Sequence, residues 1–282
     1  MTQGYITLAT KSQDDAQIKQ AVALASSLKL HDPVREFCLV VDSFDCVPQK
    51  YEDAFDSIVE LPYGNYDPND DIALNIWQVY HCSPYEQTIY FDRKSIVLDS
   101  MNDIWDNVSL NDYTFSQSSN NFRGEPSIDI YQFFIHDKNK LPKFYTDVFY
   151  FSKCERSAEL FKMLDVVLKD FRRVYLQFVT ENRPNYFDLN LLFNITFKLL
   201  GEQNNIHGHI PYTSLRLDTL ILNDHDLPPD WVDYLSHWWS KGVLKVGNHR
   251  VTGIVCYNSE QFLDQELLEE FRKNVRNSKN TV

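Results

Sequence analysis

The residues of this chain that could do chemistry sit at the ends of short apolar runs. Thr88-Ile89-Tyr90-Phe91 is β-branched and aromatic, carries no charge and ends on Asp92. Such a run predicts a buried strand with a carboxylate at its carboxyl end. In open α/β sheets that end faces the ligand crevice, so Asp92 is read as a phosphate- or metal-site carboxylate, with a turn residue as the alternative. Neither G-x-G-x-x-G nor G-x-x-x-x-G-K-S/T occurs. Bound phosphates would therefore be held by side chains or a metal rather than by a glycine cradle. Lys245 and Arg250 either clamp phosphates or solvate a strand pair. Asp188 opens a helical stretch, where a carboxylate is favoured as a cap. His207-Gly208-His209 has close spacing but lacks a third ligand, which leaves loop histidines. No Ser-His-Asp order and no cysteine-nucleophile signature stands out.

The elements that would position these groups alternate strand and helix. Tyr5-Ile6-Thr7-Leu8-Ala9 is the first strand, followed by the polar corner Thr10-Lys11-Ser12. A helix then starts at Asp14 or Asp15 and runs to about Leu28, with Ile18, Ala21, Val22, Ala25 and Leu28 on one face. Residues 37–41 form the next strand, ending on Asp42, and 55–61 a third. This order is the start of a mononucleotide-binding half. After a loop over 62–71, residues 71–80 read as a helix leading to the strand before Asp92. Ser95-Ile96-Val97-Leu98 is a second apolar run, and 99–105 a turn into a short helix. Further on, 149–151 read as a central strand, 155–171 and 186–200 as helices, and 217–222 as a late strand. Trp231, Trp238 and Trp239 are placed in a helical stretch, as packing anchors rather than the wall of an acceptor groove. An amphipathic helix capped near Asn258 carries Leu263, Leu267, Leu268 and Phe271. No interdomain linker or repeat interrupts this order. One domain over residues 1–258 is expected, with a helix and tail over 259–282 packed on it.

Composition sets outer bounds. At 282 residues, 43% hydrophobic and 14% aromatic, the chain has ample material for a core. Its net charge of −13 argues against wide wrapping of nucleic acid, while leaving room for a local basic mouth. Five cysteines, odd in number and without C-x-x-C spacing, predict reduced thiols in a cytoplasmic protein. No signal peptide is expected, and no run approaches the ~18 apolar residues of a membrane span.

The pattern strand, acidic corner, apolar run and D-x-x-x-D-I-W, over residues 88–105, resembles the metal-site region of sugar-nucleotide glycosyltransferases with the GT-A fold. Glycogenin-like members read Y-L-D-A-D-x-x-V-L-x-x-I-D-x-L there; this chain has Asp92-Arg93-Lys94 in place of Asp-x-Asp. The order W-Q-V-Y-x-x-S-P-Y-x-x-T-I-Y-F-D, from Trp77 to Asp92, resembles a group of glycosyltransferases from large tailed bacteriophages. Asn121-Phe122-Arg123-Gly124-Glu125 and the Lys140-Leu141-Pro142 to Phe151 stretch extend that likeness over most of the chain. Phe187-Asp188-Leu189-Asn190 is similar to the glycogenin-like D-Q-x-x-L-N.

The resemblance implies an α/β fold, a single GT-A-like domain with a mixed, mostly parallel central sheet flanked by helices. It implies transfer of a sugar from a nucleotide donor, UDP-linked, to a hydroxyl acceptor. In the phage group that acceptor would be a hydroxymethylated base of viral DNA, and the setting a host cytoplasm. The nucleotide would lie over Leu8, Thr10 and Lys11 and near Asp92, with Asp147, Lys245 and Arg250 also at the donor. Asp147 stands where the family has a glycine. Asp92, Lys94 and Asp188 are the implied catalytic residues, Asp188 beside the sugar or simply a cap. The family's histidine ligand aligns on Cys256, with His249 as the competing match. Hence no cofactor is expected, and Mn²⁺ or Mg²⁺ only if the altered motif still binds metal through Asp92 and His249 or Cys256. Lys94 would take the metal's electrostatic role. Two rivals stand beside this reading: a degenerate GT-A protein that binds a nucleotide or a partner without catalysis, and an enzyme acting on glycan or protein hydroxyls. No membrane partner is expected.

Overall fold

Alternating side chains along the first strand go to opposite faces of a sheet, and both faces are covered. β1 (Gln3–Leu8) sends Tyr5 into one core and Ile6 and Leu8 into the other. The same alternation of period two runs through β2 (Glu36–Val41), where Phe37, Leu39 and Val41 oppose Cys38 and Val40. A strand buried on both faces must be apolar throughout, which is why these stretches read as unbroken hydrophobic runs. The structure is a computed structural model and describes residues 1–10, 15–65, 72–127, 130–180, 187–215, 231–233, 235–240, 243–259, 261–263 and 268–273.

Between β1 and β2, α1 (Ala16–His31) covers the Tyr5 face, packing Ala21, Val22, Leu24 and Leu28 onto it. β3 (Ser57–Glu60) pairs parallel with β2. The chain then returns to the other side of β1 as β4 (Gln87–Phe91), also parallel. It passes through a 3₁₀ segment, Ile72–Gln78, and the single turn α2 (Val79–Cys82). The expected helix over 71–80 is thus mostly 3₁₀; Asp71 lies outside the described residues. Buried Asn75 and Gln78 bond to the preceding loop, to Asn65 Oδ1 at 2.8 Å and to the Gly64 carbonyl at 2.9 Å. Such ties favour the tighter turn.

Next come β5 (Ser95–Val97), α3 (Asn102–Val108), β6 (Tyr113–Ser116), β7 (Ser119–Asn120), β8 (Pro126–Ser127) and α4 (Ile130–Asn139). β9 (Tyr145–Ser152) inserts antiparallel between β4 and β6. The main sheet therefore has the order β3-β2-β1-β4-β9-β6, mixed and mostly parallel. α5 (Glu155–Lys169), α6 (Phe171–Phe178) and α7 (Leu189–Leu200) supply side chains to the core on the Ile6 face. The helix expected over 155–171 breaks at Asp170, whose carboxylate holds Arg173 at 2.6 Å. The helix expected from 186 begins at Leu189, because Asp188 caps it.

Two smaller sheets follow. β10 (Thr213–Leu215) and β14 (Ile254–Tyr257) lie side by side, and β14 also pairs antiparallel with β5. β11 (His237–Ser240), β12 (Val243–Val246) and β13 (His249–Val251) form an antiparallel sheet. Trp238 and Trp239 are therefore strand residues, a correction to the expected helix. Trp238 faces outward at 45% exposure, while Trp239 packs on Phe271 at 4.7 Å. That is an alternation of period two. Gly247, at φ 57°, and Asn248 make the two-residue turn between β12 and β13. The strand expected over 217–222 lies outside the described residues. At the C-terminal end Ser259 Oγ accepts from the backbone N–H of Gln261 and Phe262, and Leu268 and Phe271 are buried. No described helix is long and apolar enough to cross a membrane.

Candidate functional site

The main sheet reverses direction at β1. β2 and β3 extend one way, β4 the other, and in open α/β sheets such a switch point places the ligand crevice outside the carboxyl ends, here those of β1 and β4. Asp92 follows β4 directly at that point. Its Oδ1 accepts the backbone N–H of Lys94 at 2.8 Å, and its own N–H donates to the Asp147 carbonyl at 2.7 Å. Asp147 lies on β9 one position before Val148, which pairs with Phe91 of β4, and its Oδ2 accepts the Tyr212 hydroxyl at 3.0 Å. Lys94 is tied on both sides: its carbonyl accepts from Tyr257 N at 2.9 Å and its Nζ lies 3.5 Å from the Asn258 carbonyl. β14 thereby sets Cys256 opposite Ser95, with Sγ 3.3 Å from Ser95 Oγ. Asp92, Lys94, Asp147 and Cys256 thus meet at one corner, although 164 positions separate Lys94 from Asn258.

Tyr90, one position before Phe91, is buried and stacked on Phe149 at 4.7 Å. Burial first, then the Asp92 charge, pushes its hydroxyl well above the usual tyrosine range, so it stays protonated. Arg93 points the other way and donates from Nε to Gln20 on α1 at 3.1 Å.

The remaining expected residues are placed as follows. Leu8 is 2% exposed and its side chain belongs to the core beneath the sheet. Thr10 stands at the end of β1, with its N–H and its hydroxyl both on Gln17 Oε1, at 2.9 and 3.2 Å. Lys11 lies outside the described residues. Asp188 accepts from Leu191 N at 3.0 Å as the N-cap of α7. Two residues on, Asn190 Oδ1 accepts from both N and Oγ1 of Thr146, at 2.8 Å each. The start of α7 is thereby fastened next to Asp147. Lys245 and Arg250 lie apart from this corner, opposite each other on β12 and β13. Cys256 faces Ser95, but Gly253 already faces Leu98, three positions or ~10 Å further from Asp92. His249, beyond Gly253, is with them and meets Phe122 edge-on at 5.5 Å. It is not beside Asp92.

The corner can be compared with what a divalent ion requires. Mn²⁺ and Mg²⁺ prefer oxygen ligands, about six for Mg²⁺. Here two carboxylates are already engaged with Lys94 N and Tyr212, beside an ammonium and a buried thiol. No three Asp, Glu, His or Cys side chains converge on a cation position among the described residues. This donor set does not fit such an ion.

Two of these contacts were not foreseen: Tyr212 on Asp147 and Asn190 on Thr146. The second carried a sequence signal in the D-x-N spacing of 188–190; the first carried none.

No protein-family model matches the chain, and no curated protein does. Solved structures do. A galactosyltransferase, LgtC, in complex with donor and acceptor sugar analogs, matches with TM-score 0.53 and 14% identity over 97% of this chain and 95% of that one. An active-site mutant of LgtC matches with TM-score 0.51 and 12% identity over the same shares. The apo glycosyltransferase GlyE of Streptococcus pneumoniae TIGR4 matches at TM-score 0.41 and 11% identity over 72% of this chain, which spans 44% of that protein's length. The LgtC likeness is one of fold: a mixed α/β domain with a mostly parallel central sheet and flanking helices, as in GT-A glycosyltransferases.

Proposed function

We propose that this protein transfers a sugar from a nucleotide-sugar donor, UDP-linked, to a hydroxyl acceptor in the crevice between the ends of β1 and β4. The observation that carries this reading is the Asp92–Lys94 turn at the sheet's switch point, in a fold shared with a donor- and acceptor-binding galactosyltransferase. In the reaction the acceptor oxygen bonds to the anomeric carbon and the bond from that carbon to the diphosphate breaks. The electron pair leaves on the diphosphate, and the hydroxyl proton passes to a base or to water. An ammonium at Lys94 would stabilise the charge that develops on the leaving group. Asp92 would act by fixing the backbone that carries it and, through its carboxylate charge, by keeping that ammonium in place. Asp188 would bear on the sugar through the start of α7.

The acceptor named by the phage resemblance, a hydroxymethylated base in DNA, would have to be flipped out and met by a small basic rim, given the net charge of −13. Glycan and protein hydroxyls are the competing acceptors. A second reading, a nucleotide-binding protein without turnover, is favoured by the same three residues: Lys94, Asp147 and Cys256 where a metal-dependent enzyme would differ. Thermal-shift titration with nucleotides and nucleotide sugars tests the site. A binder raises stability by about 2.7 kcal/mol at a hundredfold excess over its dissociation constant. No shift with any of them at millimolar concentration would refute both readings. Release of UDP from a UDP-sugar separates the enzyme from the binder, and label transfer to modified DNA separates the acceptors.

A further inference from the structure

At the Thr213 end of β10 and the Ile254 end of β14, the loop after β7 and the strand β13 enclose a cleft of about 280 Å³, and one lining residue, Tyr212, reaches Asp147 through its hydroxyl. Its rim carries Arg123, His249 and Arg250, with Asn120, Asn121 and Thr213 among the polar groups inside. The volume is near the lower end for small-ligand sites, ~300 Å³.

The two arginines there differ from four others among the described residues. Arg35, Arg156, Arg173 and Arg272 each hold a carboxylate. Arg123 and Arg250 are exposed, and neither pairs with a carboxylate among the described residues. Arg250 also stands directly opposite Lys245 on the outer face of the small sheet. Like charges in that arrangement oppose strand pairing. A chain with 40 acidic residues against 27 basic ones has carboxylates to spare for relieving this, yet none among the described residues is paired with either arginine.

Arg123 is also held in place. The Arg123 guanidinium lies 5.2 Å from the ring centroid of Phe122, which is 5% exposed and packs edge-on against His249. Asn121 Oδ1 closes the loop by accepting from the backbone N–H of Arg123 and Glu125 at 2.9 and 3.1 Å. Asn121 Nδ2 meanwhile holds the Glu125 carboxylate at 3.0 Å. On the other side, Lys245 Nζ rests 4.9 Å from the Trp238 ring. Two guanidinium groups lining a small polar cleft supply the charge and the donors that a phosphate dianion takes.

We propose that this cleft is a binding site for a phosphate-type dianion, the phosphomonoester or pyrophosphate group of a small molecule, gripped by Arg123 and Arg250. It is separate from the donor crevice and does not depend on sugar transfer taking place. The experiment is calorimetric titration of inorganic pyrophosphate and of glycerol 2-phosphate into wild type, Arg123→Ala, Arg250→Ala, Arg123→Lys and Lys94→Ala, with UDP as a separate ligand. At least one of the two phosphates should bind wild type and weaken about tenfold or more in each Arg→Ala variant. Arg123→Lys should retain part of the affinity, and Lys94→Ala all of it. UDP binding in Arg123→Ala should be unchanged. No phosphate binding by wild type overturns the proposal, as does equal binding by the Arg→Ala variants. Loss of phosphate binding in Lys94→Ala, or of UDP binding in Arg123→Ala, would give these cations to the donor crevice and overturn the separate site. A single-stranded octathymidylate that binds through the two arginines while both small phosphates fail would replace the small ligand with a polymer.

Discussion

Asp92→Asn separates a fold requirement from a functional charge. The Asp92 side chain makes one bond to the backbone, from Oδ1 to Lys94 N at 2.8 Å, and it is only partly buried. An asparagine keeps that acceptor with the same shape, so the turn survives and stability should change by no more than ~0.5 kcal/mol. Asp92→Ala removes the acceptor and leaves Lys94 N to water, at about 1 kcal/mol. In a chain of 282 residues that is a fall of about 2 °C in melting temperature. If the carboxylate charge serves the reaction, both variants should lose turnover by about a hundredfold, as loss of a preorganised charge in an active site typically does. The measurements are scanning fluorimetry and UDP release from a UDP-sugar, run on both variants. Asp92→Asn that melts several degrees early while releasing UDP at the wild-type rate would make Asp92 a turn residue and refute the reasoning.

If Lys94 does a metal's work, activity should persist in EDTA and collapse in Lys94→Ala; activity abolished by EDTA and restored by Mn²⁺ would overturn that assignment. Gly4→Ala should cost about 1–3 kcal/mol in a denaturant melt, because its Cβ would lie 2.4 Å from the buried Tyr85 ring; an unchanged midpoint would show that the ring moves freely. Burial pushes the Cys38 thiol up to about 11 and Cys82 up to about 12. An unfolded thiol titrates near ~8.5, so the folded chain holds protons that the unfolded chain releases. Their contribution is full below ~8.5 and is lost as pH rises through 11 to 12. Melting temperature should thus fall above pH ~8.5, before tyrosines titrate near 10, and the fall should be shallower in Cys38→Ala/Cys82→Ala. Equal slopes in the two proteins would count against it.

The strand ends were legible in the sequence because a strand buried on both faces leaves no alternation to misread, and Asp92 simply ends such a run. The nature of α1 was legible for the complementary reason, since its apolar residues recur at helical spacing. Trp238 and Trp239 were misplaced because positions 231, 238 and 239 also satisfy a helical period. What decides the matter is pairing with β12, across a short connection whose residues carry no periodic signal. Boundaries at Asp170 and Asp188 slipped because polar side chains there bond to local backbone or to Arg173, a competition that hydrophobic pattern does not register. At the site, Lys94 and Cys256 could be brought together in advance only by resemblance. Their shared corner depends on β14 pairing with β5 from far along the chain. Tyr212 reaches Asp147 across 65 positions, a distance over which sequence spacing has no meaning.

The corner around Asp92 is balanced in a way that bears on how a leaving group would be met. Both carboxylates have structural engagements: Asp92 shapes the Lys94 turn, and Asp147 receives Tyr212. Arg93 is turned toward Gln20. The Lys94 ammonium lies at the same corner, 3.5 Å from the Asn258 carbonyl. A single charge about 4 Å from a departing oxyanion is worth about 4 kcal/mol at an effective dielectric near 20, and a doubly charged ion about twice that. A lysine-based site would therefore forgo roughly half of the electrostatic assistance, and would also let a nucleoside diphosphate go more readily once the bond had broken. An ammonium needs no ligand cage, so nothing else at the corner has to be a ligand. A tyrosine-bound aspartate and a serine-bound thiol can then occupy positions that a metal site would have claimed, and the same geometry that disfavours a metal is compatible with a metal-free transfer.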